Sequence, residues 1–291
     1  MKKHKGRIVL EVMSEDKTKT SIDNIVCALT NVLGSDQVHL AYNSDLGTPR
    51  YFIPSGVPDL DRVLDREGRG WPSGRIYEIY GAAATAKTGI GYSLIAQAQK
   101  MGGVCILYPA EGNWDEWLAE RYGIDLSRLI LGDDETVEGI FGSWQRAMQK
   151  AGKDGLLVGM IDSIAGVTTR AELAEEEITP TRSAQLRAQL ISKSLRKLGA
   201  TMPRTSAILF CINQVRDATD VMFGEKSKPT GGRALPFYAS IRLKLENIGK
   251  ITRALKGKKY VAGFKLEITA MKNRLSMPYQ KANIKLDYEL G

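Results

Sequence analysis

Short apolar runs alternate with stretches of helical spacing through the middle of the chain. Arg75-Ile-Tyr-Glu-Ile-Tyr80, Val104-Cys-Ile-Leu-Tyr108, Leu156-Leu-Val-Gly-Met-Ile161 and Ala207-Ile-Leu-Phe-Cys-Ile212 read as strands. Between them, Lys87 to Met101, the region near Trp114–Tyr122 and Ser183–Leu198 read as helices. Apolar runs separated by helices predict a mostly parallel sheet covered on both faces, an α/β fold. From about residue 239 the pattern changes. Ala239–Glu246, Gly263–Met271 and Ala282–Leu286 look like strands joined by basic loops, with no helices between them.

Residues 1–50 read as a separate small unit and residues 51–291 as the main domain. In the first, Arg7–Met13 has strand character, and Ser21 and Asp23 are N-cap candidates for a short amphipathic helix. That helix carries Ile22, Ile25, Val26, Leu29, Val32 and Leu33 and ends at Gly34. Val38-His-Leu-Ala-Tyr42 alternates like an edge strand, and Asn43–Pro49 has linker composition.

Composition narrows the class. At 291 residues, 43% hydrophobic and 25% charged, the chain is globular and long enough to bury a core without staples. No apolar run approaches the roughly 20 residues that span a bilayer, and the basic N-terminus leads into too short an apolar stretch for a signal peptide. Cys27, Cys105 and Cys211 are widely spaced and odd in number, which suits a reduced, cytoplasmic compartment and no zinc site. The net charge of +8 is local. Residues 240–291 hold 12 Lys and Arg against 4 acids, and the remainder balances at 29 against 29. Such a segment attracts a polyanion, nucleic acid being the usual one, or is a solvated face.

The strongest chemical signal is Gly81-Ala-Ala-Ala-Thr-Ala-Lys87-Thr88, which follows a strand and opens a helix. This is the position and nearly the pattern of a phosphate loop. Backbone N–H groups and the helix N-terminus cradle phosphates, Lys87 reaches the β- and γ-phosphates, and Thr88 holds Mg²⁺. Ala86 replaces the pattern's second glycine. The expectation is that the loop tolerates this methyl by keeping φ negative or by opening slightly. Further polar residues sit at strand C-termini, where α/β sheets bind ligands. Asp162, with Ser163 beside it, suits metal binding; Glu111 suits activation of water; Asn213-Gln214 suits sensing of the γ-phosphate.

The order of these motifs resembles the bacterial RecA recombinase family. Gly74-Arg-Ile-Tyr-Glu-Ile-Tyr-Gly81 leads into the loop as it does there, and Ala110-Glu111 and Ile161-Asp-Ser-Ile-Ala165 fall in the family's order. Phe210-Cys-Ile-Asn-Gln-Val-Arg216, Val221-Met-Phe-Gly224, Thr230-Gly-Gly232, Ala234–Ser240 and Met271-Lys-Asn-Arg-Leu-Ser-Met-Pro278 continue the match from about Tyr51 to the C-terminus. The resemblance implies a RecA-like P-loop ATPase core with a small N-terminal polymerisation unit that docks on the next subunit.

The resemblance also implies residue roles. Gly81, Thr85, Ala86, Lys87 and Thr88 hold the phosphates of ATP, and Thr88 and Asp162 hold Mg²⁺. Glu111 activates water, Asp115 contacts the adenine, and Gln214 couples the γ-phosphate to the second DNA-binding loop. Lys272 and Arg274 reach the γ-phosphate of a neighbouring subunit. DNA-binding loops fall at about 172–183 and 214–232. Arg187 and Arg196 lie on the helix after the first and face DNA. Arg216, Gly231 and Gly232 contact DNA phosphates. Met222 and Phe223 either insert beside bases or anchor the loop, and Trp114 and Trp117 either stack on adenine or pack their helix.

The implied function is a DNA-dependent ATPase that forms helical filaments on single-stranded DNA, with ATP at the subunit interfaces. It would exchange strands with homologous double-stranded DNA in recombination, repair and the response to DNA damage, without a membrane partner. Three departures stand out beside Ala86. Gly89 takes a threonine position of the family, which removes a phosphate contact. Glu172, Glu175, Glu176 and Glu177 make the first loop acidic, a stretch set against a DNA role, or one that caps a helix or faces solvent. The family's C-terminal domain has no counterpart before Gly291, as in a truncated chain or a compact, phage-borne relative. Hexameric helicases and clock-type ATPases share the architecture, and a non-hydrolysing DNA-binding filament protein is the alternative that Ala86 and Gly89 suggest.

Overall fold

The computed structural model describes residues 15–34, 38, 47–174, 180–217, 227–229, 232–255 and 258–288. The chain divides into two units, Met1–Leu46 and Gly47–Gly291. The first contains helix α1 (Glu15–Leu33). Gly34 closes it at φ 97°, its N–H reaching the Thr30 carbonyl, as expected of a glycine just past a helix end. The helix starts at Glu15, earlier than its cap candidates suggest. The sides of Ile22, Ile25, Leu29, Val32 and Leu33 are exposed. The strands anticipated at Arg7–Met13 and Val38–Tyr42 fall outside the described residues, except for Val38.

The second unit begins with β1 (Phe52–Ile53), α2 (Pro58–Leu64) and β2 (Trp71–Pro72), then enters the sheet at β3 (Arg75–Gly81). There follow α3 (Lys87–Lys100), β4 (Val104–Tyr108), α4 (Glu116–Arg121), β5 (Leu129–Leu131), α5 (Val137–Ala151) and β6 (Leu157–Ile161). Next come α6 (Arg170–Ala174), α7 (Pro180–Thr201), β7 (Ala207–Asp217), β8 (Ser227–Pro229) and α8 (Ala234–Tyr238). The chain closes with β9 (Ile241–Leu255), β10 (Lys258–Asn273) and β11 (Lys281–Asp287).

The described strands run in the order β11-β10-β9-β3-β7-β6-β4-β5. From β9 to β5 the pairs are parallel; β10 and β11 form an antiparallel extension. β3 is buried at every position because it has a parallel neighbour on each side and helices over each face. One core lies under α2, α3 and α4, with Tyr77, Ile79, Leu94, Ile95, Met160 and Phe210. The other lies under α5 and α7, with Ile140, Trp144, Leu157, Leu195 and Leu209. This is the predicted doubly covered sheet.

Several elements differ from the sequence reading. Helix α5 has no counterpart there, although Thr136 caps it by accepting the Gly139 N–H, and Val137, Ile140, Phe141, Trp144 and Met148 share its buried face. β7 continues past Ile212 and pairs with β8, Val215 opposite Pro229 and Asp217 opposite Ser227. Residues 214–217 and 227–229 of the expected 214–232 loop are therefore strand, and Gly232 is not. In the expected 172–183 loop, the described residues are helical: 172–174 end α6 and 180–183 begin α7. Of the readings open for the acidic stretch, Glu172 takes the helix cap. It accepts the Thr169 N–H at 2.7 Å while its own N–H reaches Thr169 Oγ1 at 3.1 Å, a reciprocal cap on α6. Glu175, Glu176 and Glu177 lie outside the described residues.

Candidate functional site

The loop Gly81–Ala86 joins the C-terminal end of β3 directly to the first turn of α3. Gly81 has no room for a side chain: a Cβ there would sit 2.5 Å from the Leu245 carbonyl oxygen on β9. Ala84 and Ala86 have φ of 56° and 58°. The expectation of a negative φ at residue 86 is thus corrected. The loop keeps the left-handed turn that a glycine would favour, at a cost of about 1 kcal/mol for each alanine. The Lys87 ammonium folds back onto the Gly81 and Ala82 carbonyls at 3.1 and 2.6 Å. Thr85 also bonds the Ala82 carbonyl, at 2.8 Å. Burial pushes the Lys87 pKa down, against the pull of Asp162 and Glu111.

Across the loop stand the ends of β4, β6 and β7. Thr88 donates to Asp162 Oδ2 at 2.7 Å. Burial raises the Asp162 pKa, opposed by that hydrogen bond and by Lys87, while Glu111 adds to the rise. A hydroxyl and a carboxylate paired beside a phosphate cradle form a hard oxygen donor set that fits Mg²⁺ completed by phosphate and water. No cluster of three or more His, Cys, Asp or Glu occurs among the described residues. Glu111 Oε1 receives hydrogen bonds from Ser163 Oγ and Gln214 Nε2, and its N–H reaches the Asp162 carbonyl. Ser163 is fully buried. The Asp162–Ser163 peptide is cis.

Asn213 behaves differently from its neighbour. It points inward, where its amide donates to the buried Glu78 at 2.9 Å, and Arg242 on β9 donates to the other Glu78 oxygen. Sequence reasoning missed this trio; its one local sign is a glutamate inside the apolar run of β3. Asn213 Oδ1 accepts the Gln214 N–H, so the buried group fixes the backbone beneath the exposed one.

A cavity of about 460 Å³ opens beside the loop, lined by residues 84–89, by Trp117, Arg121 and Tyr122 from α4 and its end, and by Phe264 and Tyr288 from the β10–β11 side. It offers polar groups at one end and aromatic walls at the other, the profile of a nucleotide site. The two tryptophans divide: Trp114 packs edge-on against Tyr92, while Trp117 is exposed and lines the cavity. Asp115 is the N-cap of α4, accepting the Leu118 N–H at 3.0 Å, and does not line the cavity. Arg121, Phe264 and Tyr288 escaped the sequence reading because distant segments bring them together.

Lys272 and Arg274 are not at this loop. Lys272 lies opposite Arg242, itself opposite Glu78, three residues before Gly81 along β3, or about 10 Å back down the sheet. Lys272 donates to the Pro236 and Phe237 carbonyls at the end of α8, and Arg274 to that of Phe237. Asn273 between them points inward and bonds the Val63 carbonyl at 2.9 Å. Burial first, then Arg274 and Arg242, push the Lys272 pKa down to about 8, with Glu78 opposing.

Of the expected DNA contacts, Arg187 and Arg196 both lie on α7. Nine residues of helix put them about half a turn apart. Arg187 is half-buried and donates to the Val167 carbonyl at 3.3 Å; Arg196 is exposed. Arg216 faces Lys228 in the β7–β8 pair. Gly232, with φ 80°, leads into α8. Met222, Phe223 and Gly231 lie outside the described residues. Among the described residues, no helix is long and apolar enough to cross a membrane.

Comparison with known proteins gives one answer. The RecA N-terminal domain family matches residues 20–291. The chain is 34% identical over 284 residues to Protein RecA of Brucella anthropi, covering 97% of this chain and 75% of the relative. It is 34% identical over 278 residues to Protein RecA of Bartonella quintana, covering 95% and 76%. With Protein RecA of Bartonella henselae the identity is 37% over 241 residues, covering 82% and 66%.

Proposed function

Because the chain belongs to the bacterial RecA family, we propose that it is a DNA-dependent ATPase of recombination and repair, which assembles on single-stranded DNA and pairs it with a homologous duplex. The observation that carries this reading is the placement of Glu111. One carboxylate, held by Ser163 and Gln214, stands beside a phosphate loop whose lysine and threonine are both present.

In this reading the loop N–H groups and Lys87 bind the phosphates of ATP, exchanging the Gly81 and Ala82 carbonyls for phosphate oxygens. Thr88 and Asp162 hold Mg²⁺, which neutralises phosphate charge when bound. Glu111 takes a proton from the attacking water, with Ser163 and Gln214 orienting the acceptor oxygen. Gln214 begins the outer part of β7, so DNA contacts made beyond Asp217 are coupled to Glu111 through one strand. Lys272 and Arg274, with Arg242, gather positive charge about one buried carboxylate, Glu78, a surplus suited to a neighbour's γ-phosphate. The exposed apolar side of α1 is the surface that docks on the next subunit.

Phosphate release, with and without single-stranded DNA, tests the reading. Glu111→Gln is expected to lower DNA-stimulated release at least about 100-fold while DNA-bound filaments persist. Release at the wild-type rate in that variant removes Glu111 from the site. No release from the wild-type protein, with filaments still forming, favours the second reading that Ala86 and Gly89 suggest, a filament protein that uses nucleotide only as structural glue.

A further inference from the structure

Gly89, in the first turn of α3, has a reason in the structure. A Cβ there would lie 2.2 Å from the Tyr122 hydroxyl oxygen and 2.6 Å from the ring carbon that bears it. The space a side chain at residue 89 would use is therefore already filled, from the opposite wall. We propose that Tyr122 is a nucleotide-binding residue whose hydroxyl donates to the α-phosphate, supplying the contact that Gly89 cannot make. The proposal rests on the phosphate-loop reading above.

Three observations support it. Tyr122 and Gly89 both line the cavity, between the phosphate end at Lys87 and Thr88 and the aromatic end at Trp117, Phe264 and Tyr288. Lys87 and Thr88 serve the β- and γ-phosphates and their metal, so a donor between them and a base enclosed by the aromatic walls faces the α-phosphate. Second, the ring is held in place. It meets Tyr92 of α3 edge-on at 6.0 Å, and Tyr92 meets Trp114 edge-on at 6.1 Å. Third, among the described residues the Tyr122 hydroxyl has no hydrogen-bond partner, yet burial raises its pKa and keeps it a protonated donor at neutral pH. An oriented donor with no protein acceptor, facing a cavity built for an anion, has a ligand as its natural partner.

The test is calorimetric binding of Mg-ADP and Mg-ATP to the full chain. Tyr122→Phe keeps the ring and removes only the donor. It is expected to weaken both nucleotides about 10-fold and equally, since the α-phosphate is common to them. The melting temperature of the nucleotide-free protein should not change, which a packing role alone would also give, but packing alone leaves affinity untouched. Gly89→Thr alone should lose affinity by collision with the ring. In a Tyr122→Ala background the same Gly89→Thr should instead regain affinity, because its hydroxyl enters the vacated space. Unchanged binding in Tyr122→Phe overturns the proposal, as does a loss confined to Mg-ATP, or a purely additive Gly89 and Tyr122 pair. If the wild-type protein binds neither nucleotide, the phosphate-loop reading itself fails, an outcome distinct from wild-type binding that Tyr122→Phe leaves intact.

Discussion

At the scale of single residues, the phosphate loop trades comfort for geometry. Ala86 sits at φ 58°, and the next residue, Lys87, bonds back to the Gly81 and Ala82 carbonyls. Glycine is free of the methyl clash in that conformation. Ala86→Gly is therefore expected to raise stability in urea melts by about 0.5–1 kcal/mol. Mg-ATP affinity should stay equal or improve, since every N–H donor remains. A marked loss of either would mean that the alanine methyl makes a favourable contact in the loop. The motif was legible from residue types and their order. Its strain was not, because φ at residue 86 belongs to the turn from β3 into α3 and not to the local preference of alanine.

Among elements, the informative place is where β9, β10 and α8 meet. Lys272 has its pKa lowered to about 8 from an ordinary 10.5. It loses its proton as pH rises through about 8, while in an unfolded chain it would keep it to about 10.5. Between those values the unfolded state binds the extra proton, so this residue's contribution makes the fold more stable as pH rises. Subunit assembly on ATP has the opposite dependence, since a neutral Lys272 no longer attracts a γ-phosphate. Sedimentation of wild-type filaments between pH 7 and 9 is expected to show assembly weakening through about 8, and Lys272→Arg should flatten that profile. Identical profiles would detach Lys272 from the interface. The strands here were legible in kind, since the lack of helices between them marked a run of strands; that the last two are antiparallel was not. Their length was not: the outer ends of β9 and β10 leave Ile248, Leu255, Tyr260 and Val261 exposed, and pairing between the two strands holds them. Helix α5 was written in its apolar spacing but follows the acidic stretch Asp133-Asp134-Glu135, which reads as loop.

Over the whole molecule, the excess positive charge is carried by the β9–β11 extension. Part of it is paired: Arg253 with Asp287, Lys281 with Glu267, and Lys244 with Glu246. Lys250, Lys258, Lys259, Lys265 and Lys285 are exposed. Binding to single-stranded DNA through such charges and the arginines near α7 releases counterions, so affinity should fall at least about 10-fold between about 50 and 200 mM salt, with little regard to sequence. A flat titration would contradict contact through phosphates. The buried trio of Glu78, Asn213 and Arg242 reaches across this same scale. Glu78 lies in an early strand, and its cation arrives 164 residues later. A buried carboxylate without its partner costs several kcal/mol, a large share of the roughly 5–15 kcal/mol that holds a domain together. A nascent chain emerging from the ribosome therefore cannot complete its central strand when the phosphate loop has been made, nor when the helices that cover the sheet have followed. It must wait for β9, so the order of the motifs along the gene is also a timetable in which the nucleotide site matures only after that strand has been translated.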